Sequence, residues 1–182
     1  MKFLNIVGTA REGRKSVRAA KKVDELLQEK GEETFFYDLK EKEIPPVGNR
    51  TYTDEGPVPE DIQDLREKVL EADCIILTVP EYNHSIPGIL KTTIDYMYPE
   101  YDEKPFAYVT VSGGGFGGVR ALSHLHDITL EIGGQPGPSI QISNISKTLN
   151  EDAEITDEAY RDRFNNFIEK VQEFTEKRKP VQ

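Results

Sequence analysis

Five short apolar runs rich in β-branched and aromatic residues alternate with stretches of helical periodicity, and this alternation limits the fold more than any other feature. The runs are Lys2–Val7, Glu33–Leu39, Cys74–Val79, Phe106–Val111 and Ser139–Ile142. Each is too short for a stable helix and too uniformly apolar for a strand with one wet face, so each reads as a parallel strand covered on both sides. Helices are expected between and after them, at Ser16–Lys30, Pro59–Ala72, Gly88–Met97, Val119–Ile132 and Asp157–Lys177. In the second of these, Ile62, Leu65, Val69 and Ala72 share one face while Glu60, Asp61, Asp64 and Lys68 lie elsewhere, giving one buried side and one wet side. The pattern predicts an α/β three-layer sandwich around a five-stranded parallel sheet of order 2-1-3-4-5.

Two connections depart from the ordinary. Lys40–Gly56 lacks periodicity and is expected to run as an irregular loop over the sheet edge, and Gly134-Gln135-Pro136-Gly137-Pro138 reads as the turn before the last strand. The length of 182 residues suits one domain, expected over 1–178 with a frayed tail at 179–182. The formal net charge of −10 opposes nucleic acid and anionic membranes as partners, because both are bound through clustered Lys and Arg. Cys74 is the only cysteine, so an intramolecular disulfide and any multi-thiolate metal site are excluded; within the apolar run DCIILTV it is expected to be a core residue. The N-terminus MKFLNIVGTAREGRKS has no signal-peptide core and no stretch approaches a membrane span, so a cytoplasmic location is expected.

In a doubly wound sheet of this order, ligands bind in the crevice at the carboxyl ends of strands one, three and four. Three unusual loops begin at those points. The first, Gly8-Thr9-Ala10-Arg11-Glu12-Gly13-Arg14-Lys15-Ser16, joins a strand to a helix and combines free backbone N–H groups with hydroxyls and a guanidinium, which suits a terminal monophosphate. It matches neither the G-x-G-x-x-G dinucleotide pattern nor the P-loop pattern. The alternative is a solvated loop in which Ser16 only caps the helix. The second, Pro80-Glu81-Tyr82-Asn83-His84-Ser85-Ile86-Pro87-Gly88, offers a rigid polar wall for the edge of a flat heterocycle; alternatively Tyr82 packs as surface and Glu81 makes a salt bridge. His84 has no catalytic partner nearby in sequence and reads as a loop residue. The third, Ser112-Gly113-Gly114-Gly115-Phe116-Gly117-Gly118-Val119-Arg120, holds five glycines in six positions, which calls for close approach of a ligand or positive φ rather than a mobile linker.

Together these segments resemble the NAD(P)H-dependent FMN reductase family of flavodoxin-like proteins, from Lys2 to about Ile142. The longest match is Pro80-Glu81-Tyr82-Asn83-His84-Ser85-Ile86-Pro87-Gly88-Ile89-Leu90-Lys91 followed by Ile94-Asp95-Tyr96, with Thr92-Thr93 where the family usually has Asn-Ala. The first loop resembles the family's G-S-x-R-x-G-R, with Thr9 in place of serine, and Gly117-Gly118-x-Arg120 matches a signature at the following helix. The resemblance implies FMN as cofactor, with its phosphate on Thr9, Arg11 and Ser16, its ring and ribityl chain along Pro80, Glu81, Tyr82, Asn83 and Ser85, and Ser112, Gly113 and Gly114 beside the flavin. It also implies a homodimer or homotetramer with Glu81 and Arg120 as scaffold or interface residues. The implied reaction is ping-pong: NADPH or NADH gives hydride to the flavin, which passes it to a small-molecule acceptor such as a flavin, quinone, azo compound or metal oxyanion. No catalytic side chain is needed, because the flavin N5 carries the chemistry. The competing reading is a flavodoxin-like electron carrier that does not oxidise NAD(P)H directly; an iron–sulfur flavoprotein is opposed by the single cysteine.

Overall fold

A computed structural model describes residues 1–53 and 56–178. Five parallel strands, β1 (Lys2–Val7), β2 (Glu33–Asp38), β3 (Cys74–Pro80), β4 (Pro105–Val111) and β5 (Gln135–Ile142), form one sheet in the order β2-β1-β3-β4-β5, as the alternation predicts. Alternate side chains along each strand project to opposite faces. Leu4, Ile6, Ile75, Leu77, Val79, Phe106 and Tyr108 pack under helices α2 (Glu60–Glu71), α3 (Gly88–Asp95) and α4 (Val119–Glu131). Phe3, Cys74, Ile76, Ala107, Val109 and Val111 pack under α1 (Ser16–Glu29) and, past a short α5 (Ile145–Thr148), α6 (Ala159–Glu176). Every residue of β4 is buried, which explains why that segment shows no polar alternation in the sequence.

The described helix ends fall within one or two residues of the expected ones, and one expectation needs correction. The segment Gly134–Pro138, expected as a turn, belongs mostly to β5, which starts at Gln135 and not at Ser139. β5 is an edge strand, so Pro136 and Pro138 lack N–H groups without interrupting an inner ladder. The register also shifts between Phe106 and Tyr108, opposite Gly137, where a Cβ would stand 2.5 Å from the Phe106 carbonyl oxygen. The stretch 40–56 is, where described, an irregular loop against the edge strand β2, with Lys42 over the Tyr37 ring. The described part opens with a 3-10 turn (Leu39–Glu41) and is pinned to the end of α3: Tyr96 OH donates to Pro45 O at 3.1 Å, and Thr51 N donates to Tyr96 O at 2.9 Å. The expected tail at 179–182 lies outside the described residues.

Cys74 is fully buried, and burial pushes its thiol up to about 12, as suits an inert core residue. Among the described residues no helix is long and apolar enough to cross a membrane.

Candidate active site

The three loops converge. Arg11, Gly13, Arg14, Lys15 and Ser16 of the first, Pro80 and Tyr82 of the second, Ser112 and Gly113 of the third, and Ile145 and Ser146 of α5 line a cleft of about 340 Å³ at the carboxyl ends of β1, β3 and β4. That volume lies within the roughly 300–1,000 Å³ usual for small-ligand sites. A larger hollow of about 750 Å³ beside α2 is lined by Lys42, Asp61 and Asp64, but Lys42 is already paired to Asp61 at 2.9 Å and Asp64 at 3.4 Å, and no strand ends there.

The first loop turns away from β1 at Gly8, whose N–H donates to Thr78 O at 2.9 Å. Thr9 is buried and does not line the cleft; its Oγ1 hydrogen-bonds Tyr82 OH at 2.7 Å and accepts from Arg11 N at 3.4 Å. Arg11 Nε also donates to Tyr82 OH, at 3.2 Å. Thr9 and Arg11 therefore tie the first loop to the second at the cleft wall. Arg14 is ion-paired with Asp38 at the end of β2, yet its Nε is buried without a partner. Helix α1 starts without a side-chain cap, and Ser16, its first residue, has a buried Oγ that also lacks a partner. The capping reading of Ser16 is thus set aside: an uncapped helix start, an orphan hydroxyl and an orphan guanidinium nitrogen sit together at one end of the cleft. A buried polar atom left so costs about 1–3 kcal/mol until a ligand satisfies it.

In the second loop Tyr82 and Ser85 exchange both backbone hydrogen bonds at 2.9 Å, making a two-residue hairpin with Asn83 (φ 47°) and His84 (φ 72°) at its tip. Both tip residues are left-handed, as a type I′ turn demands. Asn83 and His84 are exposed and do not line the cleft. Glu81 does not line it either: its carboxylate accepts from Arg120 N at 3.2 Å in the first turn of α4 and pairs with the Arg120 guanidinium at 3.4 Å. Glu81 thus ties the second loop to the first turn of α4. Ser85 points to the far side of the hairpin, where its Oγ meets His124 Nδ1 at 2.8 Å.

The third loop is closed by its own hydrogen bonds. Ser112 Oγ donates to Gly114 O at 2.7 Å and accepts from Gly117 N at 2.9 Å, while Ser143 Oγ donates to Gly115 O at 2.8 Å. Gly117 and Gly118 have φ of 61° and 76°, and a Cβ on Gly117 would lie 2.7 Å from Gln141 Cβ, so internal packing requires these two. Gly113, Gly114 and Gly115 border open space. Ligand approach accounts only for those three, of which Gly113 lines the cleft.

The sequence profile of NADPH-dependent FMN reductases matches residues 1–148. The chain belongs to that family. An NADPH azoreductase of Bacillus sp. (strain OY1-2) is 36% identical over 129 residues, covering 69% of this chain and 67% of its own. An FMN-dependent NADPH-azoreductase of Staphylococcus aureus (strain USA300) is 29% identical over 181 residues, covering 96% and 95%. The solved flavoenzyme FerB, an NAD(P)H:(acceptor) oxidoreductase from Paracoccus denitrificans, superposes with a TM-score of 0.80 at 23% identity, covering 97% of this chain and 98% of that one. As an FMN reductase of this family, the protein uses FMN and NAD(P)H to reduce an acceptor. The electron-carrier alternative is set aside accordingly.

The residues present fit FMN. A phosphate monoester supplies the acceptor oxygens that Ser16 Oγ, Arg14 Nε and the α1 amides lack. Ser146, which lines the cleft beside Lys15, is not a candidate in the sequence reading. Lys15 Nζ donates to Ser146 Oγ at 2.6 Å, across 131 positions of sequence that no local pattern connects.

Proposed function

We propose that this FMN reductase holds the FMN phosphate at the start of α1, on Ser16, Arg14 and the loop amides with Arg11 at the rim, and the flavin ring between Tyr82 and the Ser112–Gly114 backbone. The observation that carries this reading is the buried, unpartnered Oγ of Ser16, a residue that lines the cleft at an uncapped helix start. When bound, FMN supplies two-electron hydride exchange with NAD(P)H and the acceptor. The chain's own work is placement. Thr9 and Arg11 steady the Tyr82 hydroxyl, Glu81 anchors the second loop to α4, and the closed third loop presents backbone groups to the ring edge without rearranging. Pro80 lines the cleft beside Tyr82, while Asn83 and Ser85 contribute through the backbone shape of the hairpin rather than through side chains directed into the cleft.

The acceptor is an azo compound or quinone, as the names of the relatives suggest. We further read residues 1–178 as one domain, because a single sheet spans it, and the active form as a cytoplasmic homodimer or homotetramer. The test is NADPH oxidation by protein stripped of flavin and then reconstituted, with an azo dye or a benzoquinone as acceptor. Turnover that appears only on adding FMN supports the reading; turnover equal with and without FMN overturns it.

A further inference from the structure

Three cations line the cleft, Arg11, Arg14 and Lys15, and no carboxylate does. They differ in what already holds them. Arg14 is ion-paired with Asp38, so its charge is matched and its Nε is the donor left over. Arg11 and Lys15 have neutral partners among the described residues: Arg11 donates to Tyr82 OH at 3.2 Å and to Glu12 O at 3.3 Å, and Lys15 Nζ to Ser146 Oγ at 2.6 Å. Other charges nearby in the chain are taken, since Glu12 pairs with Lys40 at 3.0 Å and Arg18 with Glu151 at 3.6 Å. Lys147, which follows Ser146 on α5, does not line the cleft. In a chain of net charge −10, two cations without counter-ions therefore stand at one cleft.

Ser146 is held from two sides. It lies in the connection from β5 to α6, which Arg18 ties to α1 through Leu149 O at 3.1 Å and which Asn144 N ties to the third loop through Gly114 O at 2.8 Å. Residues 143–151 thus bridge the first helix and the third loop, and Ile145 and Ser146 close the cleft between them. The Ser146 hydroxyl accepts from Lys15, which leaves its own hydrogen to donate.

We propose that Lys15, positioned by Ser146, selects the charged phosphate of FMN over the hydroxyl of riboflavin, with Arg11 as the second charge and residues 143–151 as a fourth wall of the site. The inference rests on the FMN reductase reading above and adds to it the source of the charge that tells the two flavins apart. Ser16, Arg14 Nε and the α1 amides offer hydrogen bonds, but Asp38 cancels the Arg14 charge and the helix dipole supplies only a partial one. A phosphate monoester carries nearly two negative charges at neutral pH, and Lys15 and Arg11 are the two cleft charges not already matched. The bond to Ser146 also fixes where the ammonium stands. A side chain already docked on a hydroxyl loses less freedom when the phosphate arrives than one ordered by the ligand alone.

The experiment titrates the flavin-free full chain and its variants with FMN and with riboflavin, followed by flavin fluorescence, at low and at high sodium chloride. In the parent, FMN should bind more tightly than riboflavin, and salt should weaken FMN binding alone. Lys15→Met should weaken FMN roughly 10- to 100-fold, leave riboflavin within about twofold and shrink the salt effect. Lys15→Arg, which keeps the charge, should stay within about fivefold of the parent. Ser146→Ala should weaken FMN about two- to fivefold while the salt effect persists, which separates placing the charge from supplying it. Retained riboflavin binding shows that each variant is folded. Equal losses for both flavins in Lys15→Met, or an unchanged ratio of FMN to riboflavin affinity, overturn the proposal. A parent that binds neither flavin is a different result: it overturns the FMN reading and the proposal with it.

Discussion

The first and third loops share one sequence form, a strand followed by a glycine-bearing turn and a helix, yet they leave their polar groups in opposite states. In the third loop the Ser112 hydroxyl is fully engaged, donating to Gly114 O and accepting from Gly117 N, and Ser143 closes a further carbonyl. In the first loop Ser16 Oγ and Arg14 Nε are buried without partners, and α1 has no side-chain cap. The contrast separates two ways of meeting one ligand. The third loop is a finished shape whose backbone is offered as it stands, while the first is incomplete until an anion arrives.

The largest effect expected from this contrast falls on the third loop. Gly117→Ala forces a side chain into left-handed backbone 2.7 Å from Gln141 Cβ, which should cost about 2–5 kcal/mol of stability. Thermal denaturation of the flavin-free protein then shows a midpoint lower by about 5–15 °C; an unchanged midpoint contradicts the packing role assigned to this glycine.

Next in size is Ser16→Ala. Losing a hydroxyl bond to a charged phosphate should weaken FMN binding about tenfold, near 1.4 kcal/mol, in a fluorescence titration. Riboflavin, which lacks the phosphate, should bind both proteins alike. The flavin-free variant should be as stable as the parent or more so, because a buried group without a partner has been removed. Equal losses for FMN and riboflavin would break the comparison.

A site outside both loops calibrates the scale. Burial pushes the Glu100 carboxyl up, but hydrogen bonds from the Arg66 guanidinium at 2.6 Å, from Thr51 and from backbone N–H groups outweigh this and hold it below its ordinary range. A depressed carboxylate adds stability that is present above the unfolded value of about 4.3 and lost as pH falls through the folded value. Glu100→Gln should therefore lose about 1 kcal/mol at pH 7 and flatten the acid limb of the stability profile. The smallest change is Gly114→Ala, which meets open space: stability should move by less than about 0.5 kcal/mol.

Much of this was readable in the chain. Apolar runs ending at Val7, Val79 and Val111 placed three loops at the crevice of a sheet order that their alternation with helices allows. Other features depend on distant partners. Ser16 looks like an ordinary cap until the fold shows its Oγ without a partner at a helix start that stays uncapped, and the glycine run reads as one ligand-facing unit until Gln141 accounts for Gly117. Pro136 and Pro138 signal a turn because local rules do not know that β5 lies at an edge. Asn83-His84 contains no glycine, so its left-handed hairpin turn leaves little trace in composition.

The central claim is that this fold binds FMN and passes hydride to it from NAD(P)H, and anaerobic reduction followed in the visible spectrum tests it most directly. Protein reconstituted with FMN and mixed with NADPH or NADH, with no acceptor present, should lose its flavin absorbance within a turnover time and regain it when a quinone is added. Bound flavin that stays oxidised with both nicotinamides would contradict the account.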